Sequence, residues 1–149
     1  MALATAILNF EGTIPAPMLN VTGHIHYTEG PNGIPLNLNA VQTDQSVEIV
    51  YHWNQSGWLL PLLGSCQCHF EVFLERMGEF EFGPIAPKVI PFSNTSGSFV
   101  TNVTIPANTV PPGLYRITAR FMLTATGGSA SPCVGFADLG FANWYIAMP

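Results

Sequence analysis

The chain has 149 residues, of which 48% are hydrophobic and 9% charged, with four basic residues, nine acidic ones and a formal net charge of −5. This length is typical of one domain, and so many hydrophobic residues with modest net charge exclude intrinsic disorder. Four basic residues are too few for a nucleic-acid-binding surface, which needs clustered lysine and arginine. No apolar run reaches the about 18–20 residues that span a bilayer. The sequence therefore predicts a single domain over residues 1–149, with no nucleic-acid partner and no membrane span.

Two features of the sequence bear on the cellular compartment. Residues 1–8 are mildly apolar but lack the basic start and the length of a secretory signal, so cytoplasmic synthesis is favoured. Cys66 and Cys68 lie two residues apart in an extended segment, so their Cα atoms are near the upper distance limit for a disulfide and a mutual bridge would be strained. A bridge from Cys133 to one of them stays open, but buried thiols that act as small hydrophobes are the favoured interpretation.

Alternation of apolar and polar residues predicts the strands of the first half of the chain. Asn20–Thr28 alternates apolar residues with His24 and His26, and Ser46–Trp53 has an apolar residue at every second position. Gln67–Glu75 continues the same pattern. A period of two is typical of strands with one buried face.

The second half repeats this pattern. Ser98–Ile105 alternates, and Leu114–Leu123 places every second residue from Tyr115 inward, with Arg116 and Arg120 outward. The last segment, 134–147, is rich in aromatic residues and is interrupted by glycines. Turn-forming residues cluster at Glu29–Pro35, Asn54–Gly57, Gly83–Pro91, Pro106–Gly113 and Thr126–Pro132.

No window longer than about 12 residues keeps a helical period without glycine or proline, so no helix is predicted. Short strands separated by regular turns are typical of all-β folds. The sequence therefore predicts a single antiparallel β-sandwich, immunoglobulin-like or jelly-roll-like, of about seven to nine strands.

One segment carries a family resemblance. Gly113-Leu114-Tyr115 opens the penultimate predicted strand and resembles the tyrosine corner of immunoglobulin-like sandwiches, in which the tyrosine hydroxyl anchors a crossing between sheets. Trp53 is placed like the inward tryptophan of those folds. Ile117 stands where antibody domains have their second core cysteine, and Pro111 occupies a position often filled by aspartate. The resemblance covers about residues 46–123 and implies an architecture without implying an activity.

The strongest metal-like motif is His24-Ile25-His26. Two histidines at i and i+2 of a strand project from one face and can share zinc, copper or iron. With Glu29 the stretch resembles the first metal motif of cupins, which implies a cupin-like metal-binding protein as one alternative function. Arg116 stands where the second cupin motif has a histidine. A third ligand needs His52 or His69 on the same face, so a solvent-facing polar row is favoured and no metal or cofactor is predicted.

Catalytic residues are not predicted. Several serines are present, but none has the flanking glycines of a nucleophile elbow. Because nothing supplies both a nucleophile and a base, we expect a protein that is not an enzyme.

The segment Trp58-Leu59-Leu60-Pro61-Leu62-Leu63 has neither alternation nor charge. It either folds back over the end of the core or stays partly exposed as a docking patch. The terminal segments, residues 2–10 and 141–149, are further contact candidates, because terminal strands are the usual donors when protomers exchange an element. The predicted contact residues are Trp58, Leu59, Leu60, Leu62, Leu63, Phe141, Trp144 and Tyr145.

The low content of charged residues favours a structural or interaction function. Strand edges of monomers are normally protected by charges, and this chain has a single lysine, Lys88. Interface centres are likewise depleted in lysine and glutamate. We therefore expect a β-sandwich subunit that self-associates or binds other protein subunits, as in a filament, a shell or an adhesin.

A carbohydrate-binding module is the other alternative. Trp53, Trp58, Trp144 and Tyr145 are candidate stacking platforms, with Asn and Gln side chains to read hydroxyl groups. This hypothesis requires two of the rings to be exposed and coplanar along one face of a sheet.

Overall fold

The computed structural model describes residues 5–11, 14–15, 17–29, 34–35, 40–78, 81–125 and 130–146. These residues form ten strands and one short 3-10 helix at Leu60–Leu63. The strands are β1 (Thr5–Glu11), β2 (Asn20–Glu29), β3 (Ile34–Pro35), β4 (Ala40–Gln42), β5 (Val47–Ser56), β6 (Gln67–Arg76), β7 (Glu81–Pro91), β8 (Gly97–Ile105), β9 (Gly113–Thr124) and β10 (Ala130–Tyr145). Within the described residues, no helix has the length and apolar character needed to cross a membrane.

All ten strands belong to one sheet with the order β7-β6-β9-β10-β1-β2-β5-β8, to which β3 adds beside β2 and β4 beside β10. Neighbours pair antiparallel, except for the parallel pair of β4 and β10. β1 joins the two halves, because its first residues pair with β2 and its last residues pair with β10. The end strands also meet: Lys88 Nζ in β7 donates to the carbonyl oxygen of Asn102 in β8 over 3.1 Å.

The structure thus confirms an all-β, mainly antiparallel fold. The predicted sandwich of separate sheets is not confirmed, because the described strands form a single, nearly closed sheet. The prediction of seven to nine strands falls short because β3 and β4 have only two and three residues, too few for a periodic pattern.

Strand alternation fills the interior as predicted. In β9 the residues from Tyr115 to Leu123 at every second position are buried, whereas Arg116 and Arg120 point outward. An aromatic cluster forms the centre of the core: the Trp53 ring lies 5.4 Å from the Phe70 ring and 5.4 Å from the Phe121 ring. Each fully buried side chain of this size stabilises the fold by about 1.5–3 kcal/mol.

The hydrogen bond that the immunoglobulin-like resemblance implies is present. Tyr115 is buried, and its hydroxyl donates to the carbonyl oxygen of Pro111 over 2.8 Å. Trp53 also faces inward and is 4% exposed. The bond ties the start of β9 to the loop that precedes it.

Residues 83–91 correct a prediction. The sequence predicts a turn there, but the structure has the strand β7, which pairs on one side with β6. Prolines are tolerated in such an edge strand because their missing N–H groups need no partner on the open side. The register of the pair shifts on both sides of Val72 of β6, opposite the part of β7 that contains Pro84 and Pro87.

The three cysteines are buried thiols, as predicted. Burial raises the pKa of Cys68 to about 12, with smaller contributions from Cys133 and Cys66. Burial also raises the pKa of Cys133 to about 11. These thiols therefore pack as small hydrophobic groups.

Candidate functional site

Three of the four histidines meet on the outer face of β2 and β5. His24 and His26 point outward because Ile25 and Tyr27, on the alternate positions, are buried. In the antiparallel pair of β2 and β5, His24 lies directly opposite His52. Two strands that are distant in sequence thus bring three imidazoles to one surface.

The three rings form a stack with His52 in the middle. The centroids of His24 and His52 are 4.7 Å apart, with 9° between the ring planes. The centroids of His26 and His52 are 5.0 Å apart, with 21° between the planes. One nitrogen of each ring lies within 4.8 Å of a nitrogen of each of the others.

The electrostatics of the cluster favour the neutral form of His26 and His52. Burial lowers the pKa of His26 below its ordinary value, and the neighbouring His52 and His24 lower it further. The pKa of His52 is lowered by burial first and then by His24. Both rings are therefore neutral at pH 7, which leaves each with a nitrogen lone pair for a hydrogen bond or a metal.

The third histidine on the face of His24 and His26 is His52, not His69. His69 lies on β6, and its Nε2 atom is 2.8 Å from the Thr124 hydroxyl of β9. The cupin-like alternative stays a prediction. Arg116, at the position where the second cupin motif has a histidine, lies on β9, which pairs with neither β2 nor β5, and it bonds to Asp138 (Nε to Oδ2, 3.0 Å). The side chain of Glu29 lies outside the described residues.

The histidines occupy the centre of a nearly uncharged surface, which we call the histidine face. One row across it consists of Ile7, His24, His52 and Val100, on four adjacent strands. Ile7 is 72% exposed and Val100 62% exposed. Among the side chains that the structure describes, Glu48 is the single charged one on this face. The face comprises the outward residues Thr5, Ile7, Asn20, Thr22, His24, His26, Glu48, Val50, His52, Asn54, Ser56, Ser98, Val100, Asn102 and Thr104.

Charged residues are concentrated on the other half of the sheet. Arg120 of β9 bonds to Glu71 of β6 with an Nε to Oε1 distance of 3.0 Å, and its guanidinium lies 5.5 Å from the centroid of the Phe73 ring. Arg116 and Asp138 form the second ion pair described on this half. The two halves of the sheet therefore present chemically different outer surfaces.

The predicted contact residues divide into three groups. Trp58, Leu62, Phe141 and Tyr145 are exposed, and Leu59 and Leu63 are half-buried against the core. The prediction is wrong for Leu60 and Trp144, which are both buried. The 3-10 helix turns Leu60 inward, and alternation in β10 packs Trp144 against Tyr115 with 5.5 Å between ring centroids.

The carbohydrate hypothesis loses two of its four platforms, because Trp53 and Trp144 are buried. Trp58 lies in the loop after β5, not on a strand. A cavity of about 390 Å³ lies between β1, β9 and β10, but none of the four proposed rings lines it. Its lining residues are Asn9, Phe10, Arg116, Thr118, Phe136, Ala137 and Asp138.

Comparisons with known proteins identify a weak structural similarity. No protein-family model and no curated protein sequence matches the chain. Among solved structures, it is similar to chicken MD-1, which was crystallised in complex with lipid IVa. The two chains share 14% identity over 97% of this chain and 100% of MD-1, with a TM-score of 0.36. A TM-score of this size assigns neither a shared fold nor a ligand.

Proposed function

We propose that the protein is a non-enzymatic β-structured subunit that self-associates through the histidine face. The observation that carries this proposal is the near absence of charge on that face, where Glu48 is the one described charged residue. The chain as a whole carries a net charge of −5, so two copies repel each other in most orientations. Among the described residues the histidine face carries one of these charges, so contact through it brings few like charges together.

The size of the face is compatible with a specific interface. β2 and β5 each have ten residues. Ten residues extend over about 33 Å, and four adjacent strands cover about 19 Å. The face therefore measures about 600 Å², and two copies would bury about 1,200 Å² in total, the lower end of the range for specific interfaces.

The residue types on the face also support association. Interface centres are depleted in charged residues, and exposed apolar side chains there lose contact with water on binding. Ile7 and Val100 are the large exposed hydrophobic residues of the central row. Lys88, the one lysine of the chain, reaches the edge of β8 but bonds to the backbone of Asn102.

We also infer that the nearly closed sheet is an immunoglobulin-like sandwich whose two halves share β1. The Tyr115 to Pro111 hydrogen bond and the inward Trp53 support this inference. Domains of this architecture serve in many assemblies, so the architecture is compatible with the proposed function and does not select it.

Size-exclusion chromatography with light scattering tests the proposal on tag-free protein in a buffer that contains EDTA. We expect the wild type to form dimers or larger species at high micromolar concentration. Val100→Lys places a charge in the centre of the face and should give monomers. Val89→Lys, at an exposed valine of β7 outside the face, is the matched control and should associate like the wild type.

A further variant separates the histidine face from the loop segment. Leu62→Lys places a charge on the exposed part of residues 58–63 and should leave association intact. A monomeric wild type would overturn the proposal. The proposal would also be overturned if Val100→Lys still associates while Leu62→Lys or Val89→Lys becomes monomeric.

A further inference from the structure

We propose that His24, His26 and His52 form a binding site for one divalent transition-metal ion, zinc or copper. The three side chains come from two adjacent strands, and their nitrogens lie within 4.8 Å of one another. Three imidazoles are the protein ligands of a well-known class of zinc site, in which a fourth position stays open. Among the described residues, no further Cys, Asp or Glu joins this group.

To bind one metal ion, the three nitrogens must move closer together, and the stacked rings must turn so that their lone pairs converge. Tetrahedral zinc with bonds of about 2.05 Å holds its ligand nitrogens about 3.3 Å apart. The nitrogens must therefore approach one another by at most about 1.5 Å. His24 is exposed and the other two rings are half-buried, so rotation about their side-chain bonds can supply this movement. The hydrogen-bonded pair of β2 and β5 meanwhile holds the backbone in place.

The donor set determines which metals fit. Neutral imidazole suits zinc, copper and nickel, whereas calcium and magnesium take oxygen ligands. Glu48 is the one described carboxylate of the histidine face. It lies opposite Thr28, not opposite one of the three histidines. The site should therefore discriminate strongly against calcium and magnesium.

The fourth coordination position points to solvent, because the cluster lies on the outer surface of the sheet. A water molecule completes such a site in an isolated chain. The inference does not depend on self-association, since all three ligands belong to one chain.

Titration calorimetry with ZnCl₂ and with CuCl₂ tests the site on tag-free, EDTA-stripped protein. We expect one equivalent of metal to bind, and no heat from CaCl₂ or MgCl₂. His52→Gln removes the central ligand and should weaken binding by at least about tenfold. His69→Gln removes the histidine outside the cluster and should bind like the wild type.

Thermal unfolding supplies a second readout that shows whether each variant folds. Metal that binds the native state raises the melting temperature, so ZnCl₂ should raise that of the wild type and of His69→Gln, but not that of His52→Gln. If His52→Gln does not fold, His24→Gln at the exposed position replaces it and should show the same loss. Absence of binding by the wild type overturns the proposal, and so does an equal loss in His69→Gln.

Discussion

The imidazole rings of His24 and His52 lie parallel across the pair of β2 and β5, with 4.7 Å between their centroids. The backbone register places the two residues directly opposite each other. The distance between these rings therefore depends on the distance between the two strands. A change that separates the strands should separate the rings as well.

Gly23→Ala should produce this separation. A Cβ atom at residue 23 would lie 2.5 Å from the carbonyl oxygen of His52, a backbone atom that cannot move alone. We expect the variant to lose about 1–3 kcal/mol of unfolding free energy, the range for an overpacked site. It should also bind zinc more weakly than the wild type. Urea denaturation and calorimetry measure the two effects.

Gly64→Ala is the matched control for this substitution. A Cβ atom there would meet only the side chain of Asn94, which is exposed and can move away. Stability and zinc binding should therefore stay near the wild-type values. Wild-type stability in Gly23→Ala would contradict the close approach of the two strands.

Gln55 should be a strong determinant of stability. It is buried, accepts a hydrogen bond from the Trp53 indole N–H over 3.0 Å and donates to the carbonyl oxygens of Ser93 and Thr95. Gln55→Leu would leave the buried indole N–H without this acceptor, and the carbonyl oxygens of Ser93 and Thr95, which belong to exposed residues, would lose their donor. We expect the unfolding free energy, measured by urea denaturation, to fall by about 2 kcal/mol. The lost hydrogen bonds should outweigh the gain from burying the more apolar leucine.

The exposed Gln67 of β6 provides the comparison for Gln55. Because Gln67 lies at the surface, Gln67→Leu should change the unfolding free energy by no more than about 0.5 kcal/mol. Equal effects of the two substitutions would show that the hydrogen bonds of Gln55 do not stabilise the fold.

The buried cysteines should react slowly with iodoacetamide in the native state. The pKa of Cys133 is raised from 9.0 to about 11, so its thiolate fraction at pH 8 falls by about 100-fold relative to the unfolded chain. Cys68, with a pKa raised to about 12, should react more slowly still. Peptide mapping after alkylation, with and without urea, measures both rates. Equal rates in the two conditions would contradict the burial of these thiols.

The same shifts predict how stability depends on pH. A thiol whose pKa is raised in the folded state stays protonated to a higher pH there than in the unfolded state. Its contribution is fully present below pH 9 and is lost as the pH rises from 9 toward 11 and 12. The unfolding free energy should therefore fall across this range, and Cys133→Ala should reduce the fall. A stability that stays constant above pH 9 in the wild type would refute this.

Most long strands could be predicted from the sequence, because alternation reports locally which side of a strand is buried. β2, β5, β6, β8 and β9 all follow that pattern. β7 could not be predicted, because its prolines and Gly83 are also typical of turns. The first residues of β1 pair with β2 and its last residues with β10, and no pattern in its seven-residue sequence indicates this change of partner.

The candidate site was only half predictable. The spacing of His24 and His26 places them on one face, since that depends only on the strand period. The choice of His52 over His69 depends on which strand pairs with β2, and the local pattern carries no such information. The burial of Leu60 and Trp144 could not be predicted, because hydrophobicity alone does not distinguish a docking patch from a core.

The amino-acid sequence by itself determined the β class, the inward and outward rows of the main strands and the scarcity of charge, since each depends on neighbouring residues or on composition. The tertiary structure alone decided that His52 joins the other two histidines and that the ion pairs lie on the opposite half of the sheet. The physical reason is that strand pairing joins segments distant along the chain. Its register is selected by the packing of the whole core around Trp53 and Phe121.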